Sequence, residues 1–317
     1  MNSAVTIDDI EAARERIAGA VRRTPVLRAA PMRAPAINGG DLWFKLECLQ
    51  ITGSFKARGA VNKLRTLTDA EADRGLVTAS SGNHAKGVAY AGWIGGLPAR
   101  IYLPEGTPAD KLDALAAWGA EAIVHGPVWD EANAAALADA EKNGLVYFHP
   151  FADPVVVAGQ GTIGLEILDD LPRVDTVVVA IGGGGLSAGV ALAVKALKPD
   201  VRVVGVEPVG APTLYESLKA QDVIELPAIT TIVGTLAPRR SDRLNYDIIA
   251  ATVDEIVLVD DEEMRAAARW LWREMNIAAE LSGAATTAAL LNGRIALAPE
   301  ERVCAIVCGA GTDGIGG

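Results

Sequence analysis

Short apolar segments alternate along the chain with longer amphipathic or small-residue segments. Short apolar runs are typical of buried strands, and the stretches between them have the length and spacing of helices. Helices placed between strands imply a parallel sheet covered on both faces. The predicted strands are 42–47, 76–79, 99–103, 121–124, 145–148, 175–181, 201–206, 255–259 and 302–307, and the later helices are 154–168, 186–197, 261–275 and 284–291, with one from about residue 212.

Three polar or glycine-rich loops each follow a predicted strand. They are Ser80–His84, Gly182–Gly185 and Cys308–Gly314. In open α/β sheets, the loops at the carboxyl ends of the strands form the ligand crevice. We therefore expect these three loops to converge on one site.

One lysine is the main catalytic candidate. The segment Gly53–Ala60, GSFKARGA, predicts a loop and a helix, with Ser54 as the N-cap and Lys56 in the first turn. The positive end of the helix dipole and the charge of Arg58 both disfavour a protonated amine there. A lysine that is neutral part of the time can form a Schiff base with a carbonyl cofactor. The alternative is a capped surface helix with an ordinary solvated lysine.

Composition narrows the class of protein. A chain of 317 residues suggests two lobes. The net charge of -11 argues against nucleic acid or an anionic membrane as the partner. The N-terminal segment lacks the basic start and apolar core of a signal peptide, and the three cysteines and three histidines form neither a disulfide framework nor a zinc motif. We expect an acidic cytoplasmic protein without a membrane span.

Four consecutive glycines, Gly182–Gly185, open a predicted helix and have the form of an anion cradle. Glycines let backbone N–H groups approach a phosphate, and the helix contributes its N-terminus. No Lys-Ser/Thr pair follows, so a nucleotide P-loop is not favoured. A dinucleotide site is a rival, because Gly183-x-Gly185-x-x-Ala188 fits the looser fingerprint and Glu207 ends the next strand. A tight turn with close helix–sheet packing is the structural alternative.

The segment Ser80–His84 argues against the dinucleotide. Two serine hydroxyls, the Asn83 amide and the N–H groups of a helix start suit a carboxylate and a phenolic oxygen. A serine-capped helix is the alternative, and His84 alone would more often be structural. By default Glu280 is a solvated acid near a helix start, and Cys308 is a small buried hydrophobe.

Taken in order, eight motifs resemble the serine/threonine dehydratase and serine racemase group of fold-type-II pyridoxal-phosphate enzymes. They are GSFKARGA, SSGNHAKGVA, HPFADP, GQGTIGLEIL, GGGGLSAG, GVEP, ELSGAATTAAL and CGAGTDG. The resemblance covers nearly the whole chain, and GSFKARGA favours the dehydratase branch over the cysteine synthases. It implies an α/β fold similar to tryptophan synthase β, with two open, twisted, mostly parallel sheets and the cofactor between two lobes. Residues 1–74 and 153–317 would form the large cofactor-binding domain, and 75–152 a small mobile domain.

The resemblance also assigns roles to residues. Lys56 would form the Schiff base with pyridoxal 5'-phosphate and act as the base at the substrate Cα, with Ser81 as a second acid or base on the opposite face of the ring. Asn83 would bind the phenolic oxygen. Cys308 would face the pyridine nitrogen, and because a thiol does not keep that nitrogen protonated, elimination is favoured over transamination. The implied cofactor residues are Phe55, Lys56, Asn83, Gly182, Gly183, Gly184, Gly185, Leu186, Gly234, Glu280 and Cys308, and the substrate residues are Ser80, Ser81, Gly82, Asn83 and His84.

The implied activity is ammonia-lyase chemistry, in which L-threonine or L-serine loses water and ammonia to give a 2-oxo acid. Serine or other amino-acid racemisation, and dehydration of a related substrate such as hydroxyaspartate, stay open because Ser81 supplies a second acid or base. A non-catalytic protein that binds a phosphate ligand or a dinucleotide is the alternative of a different class. The family expectation for assembly is a homodimer.

Three departures from the family pattern limit these expectations. A divalent-cation site for magnesium or calcium would use Glu207, Ala211 and Thr213, but Thr213 stands where an acid is expected, which weakens a site for a hard cation. The segment TIVGTLAPRRSD does not match the usual loop facing the substrate, so the preferred side chain stays open. The chain ends soon after Asp313, so neither a regulatory domain nor feedback by isoleucine is expected.

Overall fold

Two separate sheets form the β-structure of the protein, as described for residues 4–30 and 32–315 of a computed structural model. The strands are β1 (Val26–Arg28), β2 (Asp41–Lys45), β3 (Leu76–Ala79), β4 (Ala99–Leu103), β5 (Glu121–Val124), β6 (Val146–Tyr147), β7 (Thr176–Ala180), β8 (Arg202–Pro208), β9 (Glu255–Val259) and β10 (Arg302–Ile306). The larger sheet has the order β1-β2-β10-β7-β8-β9 and the smaller β5-β4-β3-β6. Only the β1–β2 pair of these strands is antiparallel. The prediction of two mostly parallel sheets is confirmed.

Helices connect the strands and cover the sheets. They are α1 (Ile7–Ile17), α2 (Lys56–Leu64), α3 (Asp69–Ala72), α4 (Asn83–Gly95), α5 (Ala109–Ala116), α6 (Trp129–Asn143), α7 (Pro154–Asp170), α8 (Gly185–Leu197), α9 (Thr213–Ala220), α10 (Arg243–Thr252), α11 (Asp261–Met275) and α12 (Leu281–Leu291). The sequence analysis did not predict β1, which is very short, or α10, whose N-cap is Asp242. No helix of the described residues is both long and apolar enough to cross a membrane.

Each sheet has its own apolar core. In the larger sheet, the side chains of Val177, Val203 and Cys304 are fully buried between the two helical layers. In the smaller sheet, Leu76 and Ile101 pack with the helices that follow them. The smaller sheet consists of residues between 76 and 147, so the second core is made mainly by the middle of the chain.

Helix α2, which begins at Lys56, packs between α4 and α7. Glycines at both contacts let the backbones approach closely. A Cβ atom on Gly59 would lie 2.8 Å from the carbonyl oxygen of Val156 on α7, and one on Gly87 of α4 would lie 3.1 Å from the carbonyl oxygen of Lys56. Contacts this close leave no room for a side chain, so they hold the start of α2 in place against both neighbours.

Candidate active site

The predicted loops meet at the carboxyl ends of the strands. The backbone N–H of Phe55 donates to the carbonyl of Cys308 at 3.2 Å, and the N–H of Glu280 donates to the carbonyl of Gly309 at 3.1 Å. The Asn83 amide, at the start of α4, donates from Nδ2 to Oε1 of Glu280 at 2.6 Å. The lysine loop, the loop after β3 and the loop after β10 therefore surround one site.

Lys56 projects into this site from the first turn of α2. Its Nζ donates a hydrogen bond of 2.5 Å to the carbonyl of Pro150, and no carboxylate in the described residues forms an ion pair with it. The residue keeps some exposed surface, but protein atoms enclose the amine. This burial lowers the pKa of Lys56 from an ordinary 10.5 to about 8. With this pKa, about a tenth of the amine is neutral at pH 7 and about half at pH 8.

The direction of this pKa shift agrees with the sequence analysis, and Lys56 lies in the first turn of α2 as predicted, but the Ser54 cap and the unbalanced charge of Arg58 were wrong. Phe55, not Ser54, is the N-cap of α2, and no side chain caps the helix. The Ser54 hydroxyl is buried and has no hydrogen-bond partner among the described residues. Arg58 lies within ion-pair distance of Glu47 and Glu166, so its charge is balanced there rather than added to that of Lys56. Burial of the amine is the dominant cause.

The glycine loop fits an anion, and only glycine fits the loop. A Cβ on Gly182 would lie 3.0 Å from the carbonyl oxygen of Thr235, and one on Gly183 would clash with ring atoms of Phe151. Gly184 has a φ of 94°, which side chains rarely adopt. Helix α8 begins directly after it, and the first N–H groups of a helix have no helical acceptor. The loop is thus a close-packed backbone segment at a helix start, where a negatively charged group could be held.

The loop after β3 offers fewer side chains than the sequence analysis assigned to it. The Ser80 hydroxyl accepts from the N–H of Gly82 at 3.2 Å. The imidazole of His84 is buried, with Nε2 at 2.9 Å from the carbonyl of Phe148. Since a carbonyl only accepts, Nε2 carries the hydrogen, and burial lowers the pKa of His84 well below its ordinary value. The His84 side chain faces the small-sheet core, which leaves its backbone N–H for a ligand.

Glu280, which accepts from Asn83, and Cys308 both form hydrogen bonds with Ser282. Oε1 of Glu280 also accepts from the Ser282 hydroxyl at 2.5 Å, so the solvated acid of the default interpretation was wrong. Burial raises the pKa of the Glu280 carboxyl, with its hydrogen bonds acting in the opposite direction. The Cys308 thiol donates to the carbonyl of Ser282 at 3.5 Å, and burial raises the pKa of this thiol strongly. Cys308 is therefore neutral in the physiological range.

Three residues of the site were not assigned by the sequence analysis. Pro150 provides the acceptor for Lys56, and the Phe151 ring occupies the space beside Gly183. The Ser241 hydroxyl donates to the Gly183 carbonyl at 3.0 Å. The motif HPFADP contains the first two residues and follows a predicted strand, but a role for a backbone carbonyl cannot be predicted from a sequence pattern. Ser241 lies in an irregular segment without a recognisable pattern.

The residues predicted for a cation are already engaged. Glu207 accepts the backbone N–H groups of Leu214 at 2.9 Å and Tyr215 at 2.8 Å, one on each carboxylate oxygen. The Thr213 hydroxyl donates to the carbonyl of Pro238, and the Ala211 carbonyl accepts the N–H of Thr213. Within residues 4–30 and 32–315, no group of three acidic, histidine or cysteine side chains could hold a metal ion. The donor set fits a helix start better than a hard cation.

Comparison with known proteins identifies the family of this chain. Residues 17–309 match the family described as pyridoxal-phosphate dependent enzyme. The chain belongs to this family. It is 42% identical to the L-threonine ammonia-lyase of Thermotoga maritima over 288 residues, which are 91% of the chain and 71% of that relative.

Two further relatives extend the comparison. The catabolic L-threonine dehydratase of Staphylococcus aureus is 39% identical over 311 residues, 98% of this chain and 90% of the relative. The structure of maize serine racemase superposes with a TM-score of 0.92 at 36% identity, covering 97% of this chain and 94% of that one. The predicted fold-type-II architecture and the predicted cofactor, pyridoxal 5'-phosphate, are confirmed, because the chain belongs to a family that shares both.

Proposed function

We propose that the protein is a pyridoxal-phosphate-dependent ammonia-lyase that converts L-threonine or L-serine to a 2-oxo acid and ammonia. The observation that carries the proposal is the enclosed amine of Lys56, with a pKa of about 8, in one site with a four-glycine anion cradle. This pairing of an amine with a lowered pKa and an anion cradle fits a phosphorylated carbonyl cofactor. The relatives from Thermotoga maritima and Staphylococcus aureus, named for threonine, support the substrate class.

The chain offers a partner for each end of the cofactor. Lys56 would hold the aldehyde carbon, and the cradle would hold the phosphate. Since Glu280 accepts one hydrogen of the Asn83 amide, the second is free for the phenolic oxygen. The neutral Cys308 thiol would face the pyridine nitrogen. When bound, the cofactor supplies an electron sink for the electrons released at the substrate Cα. The full proposed set is Phe55, Lys56, Asn83, Gly182, Gly183, Gly184, Gly185, Leu186, Gly234, Glu280 and Cys308.

The protein's own groups would then bind and deprotonate the substrate. The N–H groups at the start of α4, with the segment Ser80–His84, bind the carboxylate. Once the substrate amine has taken its place at the aldehyde carbon, the freed amine of Lys56, whose pKa burial lowers, would remove the proton from the substrate Cα. Ser81, in the same loop, would be the acid or base on the opposite face of the cofactor ring. The β-hydroxyl would then leave as water, with a proton from an acid of the site, and hydrolysis of the released enamine would give the 2-oxo acid and ammonia.

Racemisation is the second candidate, and the likeness to maize serine racemase favours it. It needs a second proton donor opposite Lys56, which Ser81 supplies. The neutral Cys308 favours elimination, because a pyridine nitrogen without an acid partner stabilises the carbanion less. Dehydration of a related substrate such as hydroxyaspartate would use the same groups.

The decisive experiment measures 2-oxo acid release from a panel of L- and D-β-hydroxy amino acids, with Lys56→Ala as the control. We expect release from L-threonine or L-serine, and none from the variant. If no member of the panel gives a 2-oxo acid, chiral analysis of the same samples tests racemisation. An unchanged cofactor absorbance band in Lys56→Ala would contradict the role of this lysine.

We propose two domains for the chain, with residues 1–74 and 153–317 forming the large one and 75–152 a small mobile one. The small sheet lies within the second range, which supports the division. Helix α2 belongs to both in packing terms, since Ala60 lies in the core of the small sheet. Closure on substrate predicts a smaller radius of gyration in small-angle scattering with a substrate analogue, and identical curves would contradict it.

Assembly, location and the cation stay predictions. A homodimer predicts twice the chain mass in sedimentation equilibrium, and a monomer at micromolar concentration would contradict it. The cytoplasm is the expected compartment, to be checked by cell fractionation. A magnesium or calcium site at Glu207, Ala211 and Thr213 predicts a higher melting temperature with the added ion, and no shift would exclude it.

A further inference from the structure

Asn245 lies behind the glycine loop and is completely buried. It is on α10, and its Nδ2 donates to two backbone carbonyls, that of Gly183 at 2.8 Å and that of Phe151 at 3.1 Å. Both partners are oxygens that only accept, so the nitrogen of the amide must face them. Its Oδ1 has no hydrogen-bond partner among the described residues. The orientation of this amide is thus set by the two carbonyls alone.

The two carbonyls belong to the two halves of the site. Gly183 is part of the anion cradle. Phe151 directly follows Pro150, whose carbonyl accepts the hydrogen bond from Lys56 Nζ. One buried amide therefore connects the cradle to the segment that holds the reactive amine.

The surrounding contacts leave this connection little freedom. A Cβ on Gly184 would lie 3.0 Å from the Cβ of Asn245, and one on Gly185 would lie 2.7 Å from the Phe151 carbonyl oxygen. The hydroxyl of Ser241 also donates to the Gly183 carbonyl, but this bond reaches only the cradle side. Asn245 bonds to both sides, so its removal would let the two segments separate.

We propose that Asn245 is a positioning residue that fixes the phosphate cradle relative to Lys56. Its two hydrogen bonds hold the Gly183 and Phe151 carbonyls a fixed distance apart, so a cofactor bound by its phosphate meets the amine in one place. The inference rests on the proposed use of the glycine loop for the cofactor phosphate. It assigns Asn245 no contact with substrate or cofactor.

The test compares two ligands that differ only in the phosphate. Dissociation constants of the apoenzyme for pyridoxal 5'-phosphate and for pyridoxal are measured by absorbance, for the unaltered protein and for Asn245→Ala and Asn245→Asp. We expect Asn245→Ala to weaken binding of the phosphorylated ligand about tenfold and that of pyridoxal less than about twofold, since two buried hydrogen bonds are lost. Asn245→Asp should weaken it further, because a carboxylate would face two carbonyl oxygens.

Asn62→Ala is the matched control. Asn62 is equally buried, and its Nδ2 donates to the carbonyl of Val155 at 2.7 Å, where it joins α2 to α7 away from the cradle. We expect this variant to lower the melting temperature as Asn245→Ala does, but to leave the ratio of the two dissociation constants unchanged. If Asn245→Asp does not fold, Asn245→Ser, which keeps one donor, takes its place with a smaller effect.

Two outcomes would overturn the inference. One is equal weakening of both ligands in the Asn245 variants, and the other is a lower melting temperature with an unchanged ratio. The readout needs no substrate, so it separates this inference from the proposed function. A protein that shows the expected ratio but releases no 2-oxo acid would refute the ammonia-lyase activity and leave the role of Asn245 standing.

Discussion

Two basic side chains two positions apart on α2 have pKa values shifted in opposite directions. Lys56 lies in the candidate site, where its hydrogen-bond partner is a neutral carbonyl, and burial lowers its pKa to about 8. Arg58 is fully buried on the other side of the helix start. Burial alone would lower the pKa of Arg58 too, but Glu47 and Glu166 outweigh it, so its pKa is raised.

The difference shows that burial by itself does not decide the charge of a side chain. Both groups leave water, which disfavours their charged forms. Around Arg58, both carboxylates accept from the guanidinium in a bidentate manner, and Lys45 pairs with Glu166 at 2.5 Å. Two cations thus face two anions, whereas Lys56 has no carboxylate partner in the part of the chain that the structure describes. The available acids therefore select which cation keeps its proton.

The cluster around Arg58 also has a mechanical consequence. Glu47 follows β2, Arg58 is on α2 and Glu166 is on α7, so the charges join the segment after β2 to two helices. The hydroxyls of Thr24 and Thr162 contribute further hydrogen bonds. A permanently charged anchor thus holds the helix that presents a titrating amine.

The largest expected effect comes from removing the anchor. Arg58→Met leaves Glu47 and Glu166 buried without their main cation, and we expect it to lower the free energy of unfolding by about 3 to 5 kcal/mol. Urea denaturation measures the change. Arg294→Met is the control, since Arg294 pairs with Glu263 at the surface and should change stability by less than about 1 kcal/mol. Equal changes in the free energy of unfolding would show that the buried ion pairs stabilise the protein no more than a surface pair does.

The next effect concerns the proton of Lys56. A neutral amine attacks an aldehyde, so the rate at which the apoenzyme takes up pyridoxal 5'-phosphate should rise with pH, with a midpoint of about 8. Stopped-flow absorbance between neutral and alkaline pH measures this profile. In Lys56→Arg, the uptake rate should not rise with pH, because a guanidinium does not lose its proton in this range. A midpoint near 10 would mean that the amine behaves like a solvated lysine.

The smallest effect tests whether an acid would make Lys56 resemble Arg58. Cys308→Asp places a carboxylate near the amine, which should favour its protonated form and raise the midpoint by about 1 to 3 pH units. The same uptake assay measures the shift. Cys308→Ser, which introduces no charge, should leave the midpoint in place. A midpoint that is the same in the aspartate variant would mean that the two side chains do not interact.

Much of the fold follows from local patterns. The alternation of apolar and helical segments predicted every named strand except β1, with ends displaced by at most two residues. Helix α10 was not predicted, because the apolar positions of Leu244, Ile248 and Ile249 are few and its capping residue, Asp242, lies in a polar stretch. That omission also hid Asn245, which no motif identified.

By itself, the sequence determined the elements, the loops at the strand ends and Lys56 as the candidate amine. These depend on neighbours within a few positions, where hydrophobic period and glycine content act directly. Tertiary structure alone decided the partners: Pro150 is 94 positions from Lys56, and Glu166 is 108 positions from Arg58. Since the charge of a buried group depends on what surrounds it in space, the cause of the low pKa of Lys56 became visible only in the folded chain.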